Sequence, residues 1–222
     1  MKIIITEEQL DNIIHSDISE EYPESWNIED FKKLTSFNAR VKYCEEKLRR
    51  ISSGSSRIVY KIDDQKVLKL AKNKKGIAQN NQEITWGSDW YYGEILANIF
   101  DYDENDLWVE MELARKVTPK KFEEIIGVPL REYEYYMTMK INEYQGKQTY
   151  RYFNLDPKYV EILDKNEFVS KLIDFIISSD SSLGDYGRLT SFGVVNRDGV
   201  DTLVVIDYGL NNEVYDTYYK RR

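Results

Sequence analysis

Between Leu48 and Ala71 the chain runs through three short β-patterned stretches separated only by tight-turn residues. Leu48-Arg-Arg-Ile-Ser, Ile58-Val-Tyr-Lys-Ile and Val67-Leu-Lys-Leu-Ala are parted by Ser53-Gly-Ser-Ser and by Asp63-Asp64-Gln65. Connections this short cannot make the crossover that a parallel pair needs, so the three stretches are expected as antiparallel neighbours. Asn98-Ile-Phe-Asp-Tyr and Leu107-Trp-Val-Glu-Met-Glu-Leu read as a further hairpin turned at Asp103–Asp106, and Gly76 to Ala97 reads mostly as helix, with Ile84 and Leu96 inward. A small antiparallel sheet with one inserted helix is therefore predicted over residues 46–113.

The flanks read as helical. Thr6-Glu-Glu-Gln opens with a capping-box pattern ahead of Leu10, Ile13 and Ile14. Asn27 and Asp30 suit the start of a short helix carrying Phe31 and Leu34, and Ser36 the start of a third helix reaching Arg49. After the sheet, Thr118-Pro119 starts a helix and Gly127 stops it. Residues 129–145 fit either a helix face or a β alternation through Tyr133, Tyr135, Tyr136, Met137 and Met139, with helix preferred. Phe168, Leu172, Ile173, Phe175 and Ile176 form a helical stripe ending near Ser178–Asp180. Phe192–Asn196 and Thr202–Asp207, turned at Arg197-Asp198-Gly199, close the chain as a hairpin. The expected class is α+β: a helical extension at 1–45, a sheet at 46–115 and a helical part with a terminal hairpin at 116–222.

Composition narrows the function. With Cys44 as the only cysteine and His15 as the only histidine, an intrachain disulfide, a cysteine zinc site and a two-histidine relay are excluded. The chain has 222 residues, enough for one domain or two small lobes, and with 41% hydrophobic and 14% aromatic residues it is too aromatic for a disordered chain. A net charge of −8 and a pI near 5.0 leave no general basic face for phosphate backbones, so nucleic acid is an unlikely partner. Lys47, Arg49 and Arg50, then Lys72, Lys74 and Lys75, then Lys220-Arg221-Arg222 read as solvated faces. The acids that follow MKIIIT do not make a signal sequence, and no apolar run reaches membrane-spanning length, so a cytoplasmic chain is expected.

Four places carry chemistry. The small-residue turn Ser53-Gly54-Ser55 between strands would let backbone N–H groups approach phosphates, or serve only as a hairpin turn. Lys69, inside Val-Leu-Lys-Leu, must face solvent or a cleft beside that turn, and Glu83 is placed to hold its ammonium, with Glu94 as competitor. Asp185 lies in Gly184-Asp185-Tyr186-Gly187-Arg188. Asp207, after Val-Val-Ile and before Tyr-Gly, is an acid delivered to the end of a buried strand, where it would meet a metal ion or cap a turn.

In this order the elements resemble the protein-kinase-like superfamily over residues 46–210. The resemblance implies a bilobal fold with a small antiparallel-sheet lobe and a reduced helical lobe, plus the helical extension. The family's G-x-G-x-x-G-x-V loop falls on Ser52, Gly54, Arg57 and Val59, keeping the middle glycine and the valine. It implies ATP beneath Ser53, Gly54, Ser55 and Val59, adenine held between Glu112 and Arg115 (Glu112 and Ala114 foremost), and Lys69 paired to phosphates and to Glu83. Asp207-Tyr-Gly resembles Asp-Phe-Gly and implies Mg²⁺ on Asp207. Asp185 takes the place of the catalytic aspartate in a Leu-Gly-Asp loop closer to the His-Gly-Asp of small-molecule kinases, and Arg188 that of the loop's positive charge. The family's metal-binding asparagine falls on Thr190 or Ser191. Only thirteen residues follow Gly209 (222 − 209), too few for the family's activation segment and later helices. The compact length and the Lys-Ile-Ile-Ile-Thr-Glu-Glu start are similar to small kinase-like proteins of tailed phages. The implied activity is an ATP- and Mg²⁺-dependent phosphotransferase acting on a protein, self or host. Its alternatives are a weak or inactive pseudokinase-like module that binds a protein partner, with Tyr133–Tyr152 as contact surface or core, and a structural scaffold.

Overall fold

The computed structural model describes residues 25–147 and 155–220. The expected helix from Thr6, together with His15, Tyr150, Tyr152, Arg221 and Arg222, lies outside the described residues. The chain divides into two compact units, residues 1–47 and 48–222. In the first, α1 (Ile28–Lys32) is capped by the Asn27 side chain and α2 (Phe37–Lys47) follows. Trp26 sits against Phe31 and Tyr43 at ring-centroid distances of 5.1 and 5.4 Å, and the Tyr43 hydroxyl donates to the Asn27 carbonyl.

The second unit has the α+β architecture anticipated above. Strands β1 (Arg49–Ser53), β2 (Arg57–Lys61), β3 (Lys66–Ala71), β4 (Ile99–Tyr102) and β5 (Trp108–Glu112) form an antiparallel sheet in the order β1-β2-β3-β5-β4. The register sets Val59 beside Lys69 and Lys69 beside Val109. Because side chains alternate along a strand, Val67 and Lys69 share one face of β3 while Lys66, Leu68 and Leu70 take the other. All six positions of β3 are buried.

Helix α3 (Lys74–Gly87) is capped by Asn73, whose side chain accepts from the amides of Lys75 and Gly76. It ends ten residues before Ala97 (97 − 87), the end expected from sequence. Tertiary pairing overrides local preference here: Asp89 accepts from the Tyr91 amide to turn the chain, and Ile95 and Ala97 exchange backbone bonds with Val205. Ile84 is only half-buried, whereas Leu96 is 1% exposed. The inward face of α3 consists of Gly76, Gln79, Asn80 and Glu83, so its apolar pattern did not mark the buried side.

Beyond the sheet come β6 (Arg115–Lys116), α4 (Pro119–Ile126), α5 (Leu130–Tyr144), α6 (Pro157–Asp164), α7 (Glu167–Ser178) and the single turn α8 (Leu183–Tyr186). A 3₁₀ turn, Leu189–Ser191, leads into β7 (Phe192–Arg197) and β8 (Val200–Val205), which with β6 form a three-stranded sheet. Thr118 caps α4 and Gly127, at φ 89°, stops it; residues 130–144 are helical rather than β. Asp198 and Gly199 turn the hairpin with φ of 53° and 80°, the paired left-handed conformation that an Asp-Gly turn favours.

The hairpin does not close the chain. Helix α9 (Asn212–Tyr218) follows, capped by Asn211 and joined to α3 through Asn211 Nδ2 and Gln82 Oε1 at 3.2 Å. It and α6 were not anticipated, because both are short and α9 buries only Val214. Phe175, from the apolar stripe, meets Trp86, Tyr92, Tyr186 and Tyr208 edge-on at 5.4 to 6.2 Å, tying α3, α7 and α8 into one core. Among the described residues no helix is long and apolar enough to cross a membrane.

Candidate active site

The alternation along β3 turns Lys69 into the unit rather than toward solvent, and the residue is 6% exposed. A buried ammonium requires acceptors. Its Nζ lies 2.9 Å from Glu83 Oε1 and 2.8 Å from the Ile206 carbonyl. Burial lowers the Lys69 pKa and the neighbouring Arg57 charge lowers it further, while Glu83 and Asp207 oppose the shift; the net direction is down. Glu94, the competing partner, pairs instead with Lys171 on α7.

Arg57 completes the cluster, and the sequence reading gave it no role. Its Nη1 is 2.7 Å from Glu83 Oε2, an ion contact without hydrogen-bond alignment, and its Nη2 donates to Asp207 Oδ1 at 2.8 Å. Each oxygen of the fully buried Glu83 thus faces a different cation. Burial opposes the Arg57 charge, but Glu83 and Asp207 outweigh it and raise its pKa, so the guanidinium stays charged. The signal for Arg57 was present in the alternation. Val59 lies on the ligand face in the resemblance, and residue i − 2 on a strand shares that face.

Asp207 arrives through a fixed backbone. The Ile206 amide donates to the Ser191 carbonyl at 2.9 Å, and the next residue, Tyr208, is 1% exposed with its hydroxyl donating to the Ala97 carbonyl at 2.9 Å. Gly209 lies so close to the Gln79 carbonyl that an added Cβ would overlap it. The Asp207 side chain itself is 60% exposed and faces the cleft. Its surroundings cost the carboxylate solvation, but Arg57 and Lys69 outweigh that cost and hold it below the usual carboxylate range.

The cleft has three parts. Ile51, Val59, Val67, Met111 and Ile206 form apolar walls, the chain from Glu112 to Ala114 lies along one rim, and Arg57, Lys69 and Asp207 form a charged head. The Glu112 carboxylate is engaged outside the cleft, accepting from the Asn98 amide and from Arg197 Nη2. Ala114 is pressed onto β7, where a Cβ on Gly193 would collide with it. Ser52 and Thr190 also line the cleft.

Ser53, Gly54 and Ser55 form the tip of the β1–β2 hairpin and do not line it. Lys72 Nζ donates to Ser53 Oγ and to the Gly54 carbonyl, and Asn73 Nδ2 to the Ser55 carbonyl. Gly54 has an ordinary φ, and a Cβ there would come no nearer than 4.0 Å to the Arg57 carbonyl oxygen. Neither its conformation nor its packing requires glycine.

Asp185 lies in the helical turn α8 rather than in an irregular loop and is half-buried. Burial raises its pKa, the Asp207 charge adds to the shift, and Arg188 opposes it. Arg188 is exposed. The Ser191 hydroxyl donates to the Asp185 carbonyl, and Thr190 rather than Ser191 lines the cleft. Among the described residues, no three His, Cys, Asp or Glu side chains gather as a metal cage.

No family model and no curated protein matches this chain. Among solved structures it is similar to the SAICAR-synthase from Saccharomyces cerevisiae complexed with SAICAR, at 10% identity over 72% of each chain with a TM-score of 0.36. It is also similar to APH(2'')-IIa in complex with gentamicin, at 14% identity over 79% of this chain and 70% of that one, TM-score 0.34. For the ADP-bound aminoglycoside phosphotransferase APH(2'')-Ib the identity is 13%, covering 79% of this chain and 71% of that one, TM-score 0.34.

Proposed function

We propose that this chain has a protein-kinase-like fold and transfers the terminal phosphoryl group of ATP, with Mg²⁺, to a hydroxyl on a protein, either itself or a protein of the host cell. The observation that carries the reading is the head of the cleft, where Lys69, buried and held by Glu83, lies beside the strand-end carboxylate of Asp207. The motif order from Ser52 to Asp207 supports it, as does the slot beside that head, apolar-walled for a base and rimmed by backbone at Glu112 and Ala114.

In this reading Lys69 and Arg57 neutralise phosphate oxygens, while Val59 and the apolar walls cover the base. Ser53, Gly54 and Ser55 close over the phosphates from the hairpin tip. Asp185 accepts the acceptor hydroxyl's proton, and Arg188 stabilises charge in transfer. Asp207 fits a divalent ion because Mg²⁺ is commonly held by one or two carboxylates together with substrate phosphates, and Arg57 occupies only one of its oxygens. Bound there, Mg²⁺ would neutralise charge on the phosphates. Ser191 is the weaker candidate ligand, since its hydroxyl is already engaged.

Asp185→Asn should reduce γ-phosphate transfer from ATP on the order of 10³-fold while leaving nucleotide affinity near wild type. Undiminished transfer would remove Asp185 from the mechanism. A second reading, favoured by the cation already seated on Asp207, is a pseudokinase-like module that binds nucleotide and works through a protein partner. Nucleotide binding without detectable transfer or autophosphorylation would select it.

A further inference from the structure

We infer that Arg57 is a built-in cation of this site, so that the cleft binds a nucleoside di- or triphosphate without a divalent metal. The inference rests on the nucleotide reading above and goes beyond it, because that reading assigns charge neutralisation at Asp207 to Mg²⁺. Arg57 opens β2 on the face shared by Val59, and it stands opposite Ala71 in the register while Val59 stands opposite Lys69. Its guanidinium therefore enters the cleft head from the sheet side and joins two carboxylates, Glu83 at 2.7 Å and Asp207 at 2.8 Å.

With all four groups ionised, Lys69 and Arg57 carry two positive charges and Glu83 and Asp207 two negative ones, so these four sum to zero. A head built only from Lys69, Glu83 and Asp207 would carry one net negative charge and would repel polyphosphate unless a metal ion joined it. Arg57 removes that requirement. It is also fixed in place: its side chain is 9% exposed, and Nη1 also reaches Asn80 Oδ1 at 3.4 Å, itself held by the Asp106 carbonyl through Asn80 Nδ2 at 2.9 Å. A planar guanidinium presents several donors at once, so it can keep Glu83 and still turn an N–H toward a phosphate oxygen. A lysine ammonium has three donors, but all sit on one nitrogen and do not form a planar fork.

The experiment is a titration of ADP into the purified full chain by calorimetry, in EDTA and in excess Mg²⁺, with wild type, Arg57→Met and Arg57→Lys. Wild type should bind with dissociation constants within about 3-fold in the two buffers. Arg57→Met should bind at least about 10-fold more weakly in EDTA and recover in Mg²⁺, with Arg57→Lys in between. That acquired metal dependence is a result that simple loosening of the fold does not produce. Wild-type binding only in Mg²⁺ overturns the inference and leaves the nucleotide reading standing. Binding in neither buffer overturns both. If Arg57→Met does not fold, the wild-type pair of titrations still decides.

Discussion

Glu83 should be more costly to neutralise than Lys69, although the two form one ion pair. Glu83 is 0% exposed, and its oxygens face Lys69 at 2.9 Å and Arg57 at 2.7 Å. Glu83→Gln keeps the shape but leaves two buried cations with Asp207, whose side chain is 60% exposed, as their one carboxylate in the cluster, beside neutral acceptors at Ile206 and Asn80. Removing one partner of a buried ion pair costs about 3–5 kcal/mol, because the remaining charge is desolvated without compensation. Lys69→Met acts differently: it deletes an ammonium whose pKa is already lowered by burial and leaves Glu83 paired to Arg57. The loss there is two hydrogen bonds, offset by the recovered desolvation cost, so about 1 kcal/mol is expected. The unit holding the site spans 175 residues (222 − 48 + 1). At about 2–4 °C per kcal/mol for that size, Glu83→Gln should melt about 6–20 °C below wild type and Lys69→Met only about 2–4 °C below. Urea denaturation at neutral pH, with m unchanged, checks the free energies directly. A Glu83→Gln cost below about 1 kcal/mol, or a Lys69→Met cost equal to it, would refute the electrostatic account of this cluster.

Gly76→Ala should destabilise by about 1–3 kcal/mol, since the added methyl overlaps the Ser56 carbonyl and presses on Ala71, whereas Gly54→Ala should leave the melting temperature within about 3 °C while weakening ADP binding. A destabilised Gly54→Ala would show that the fold, not a ligand, needs that glycine. Asp207 has a folded pKa below its ordinary 3.8, so its contribution to stability is complete above that value and is lost as pH falls through the folded one. Asp207→Asn should therefore flatten the acid limb of stability against pH, measured by denaturant titration below pH 5 or so. Asp185 has the opposite shift, so if it accepts the substrate proton, transfer should decline on acidification at a pH above the ordinary carboxylate range. Cys44, fully buried and with its thiol pushed up to about 12, should resist a thiol reagent in the native chain and react fully in denaturant.

The sheet was legible in the sequence because its evidence is local. Short turns at Asp63–Gln65 and Asp103–Asp106 force antiparallel neighbours, and the apolar residues of the short stretches they join mark those stretches as strands. Lys69 and Glu83 could be paired on paper because one strand and one adjacent helix separate them. The end of α3 could not be read in the same way. What stops the helix from continuing to Ala97 is the backbone bonding of Ile95 and Ala97 with Val205, more than a hundred residues away. Arg57 failed for a related reason. It stands where the resembled loop pattern has its third glycine, so in the sequence it reads as a departure from that pattern and not as a charge. Its partners, at positions 83 and 207, come together only in the folded chain.

The same helix explains why the site and the stability of the sheet half are tied together. Apart from Trp86 near the end of the helix, which meets Phe175 edge-on, the inward face of Gly76, Gln79, Asn80 and Glu83 gives the hydrophobic effect little to hold. Close backbone approach and charge hold it instead. Gly76 lets α3 lie against the Ser56 carbonyl, Gly87 makes room for Ile99 and the Tyr208 hydroxyl, and Gly209 lets the segment after Asp207 touch the Gln79 carbonyl. Ser56 Oγ donates to Gln79 Oε1 at 2.6 Å, beside the Arg57 and Lys69 contacts to Glu83. A helix seated on polar contacts is positioned with little slack, because each contact has a narrow range of distance and angle. Its seat is also the head of the cleft. A ligand that draws Arg57 toward a phosphate must therefore act on the position of α3, and variants at Glu83 should change nucleotide affinity and the melting temperature together.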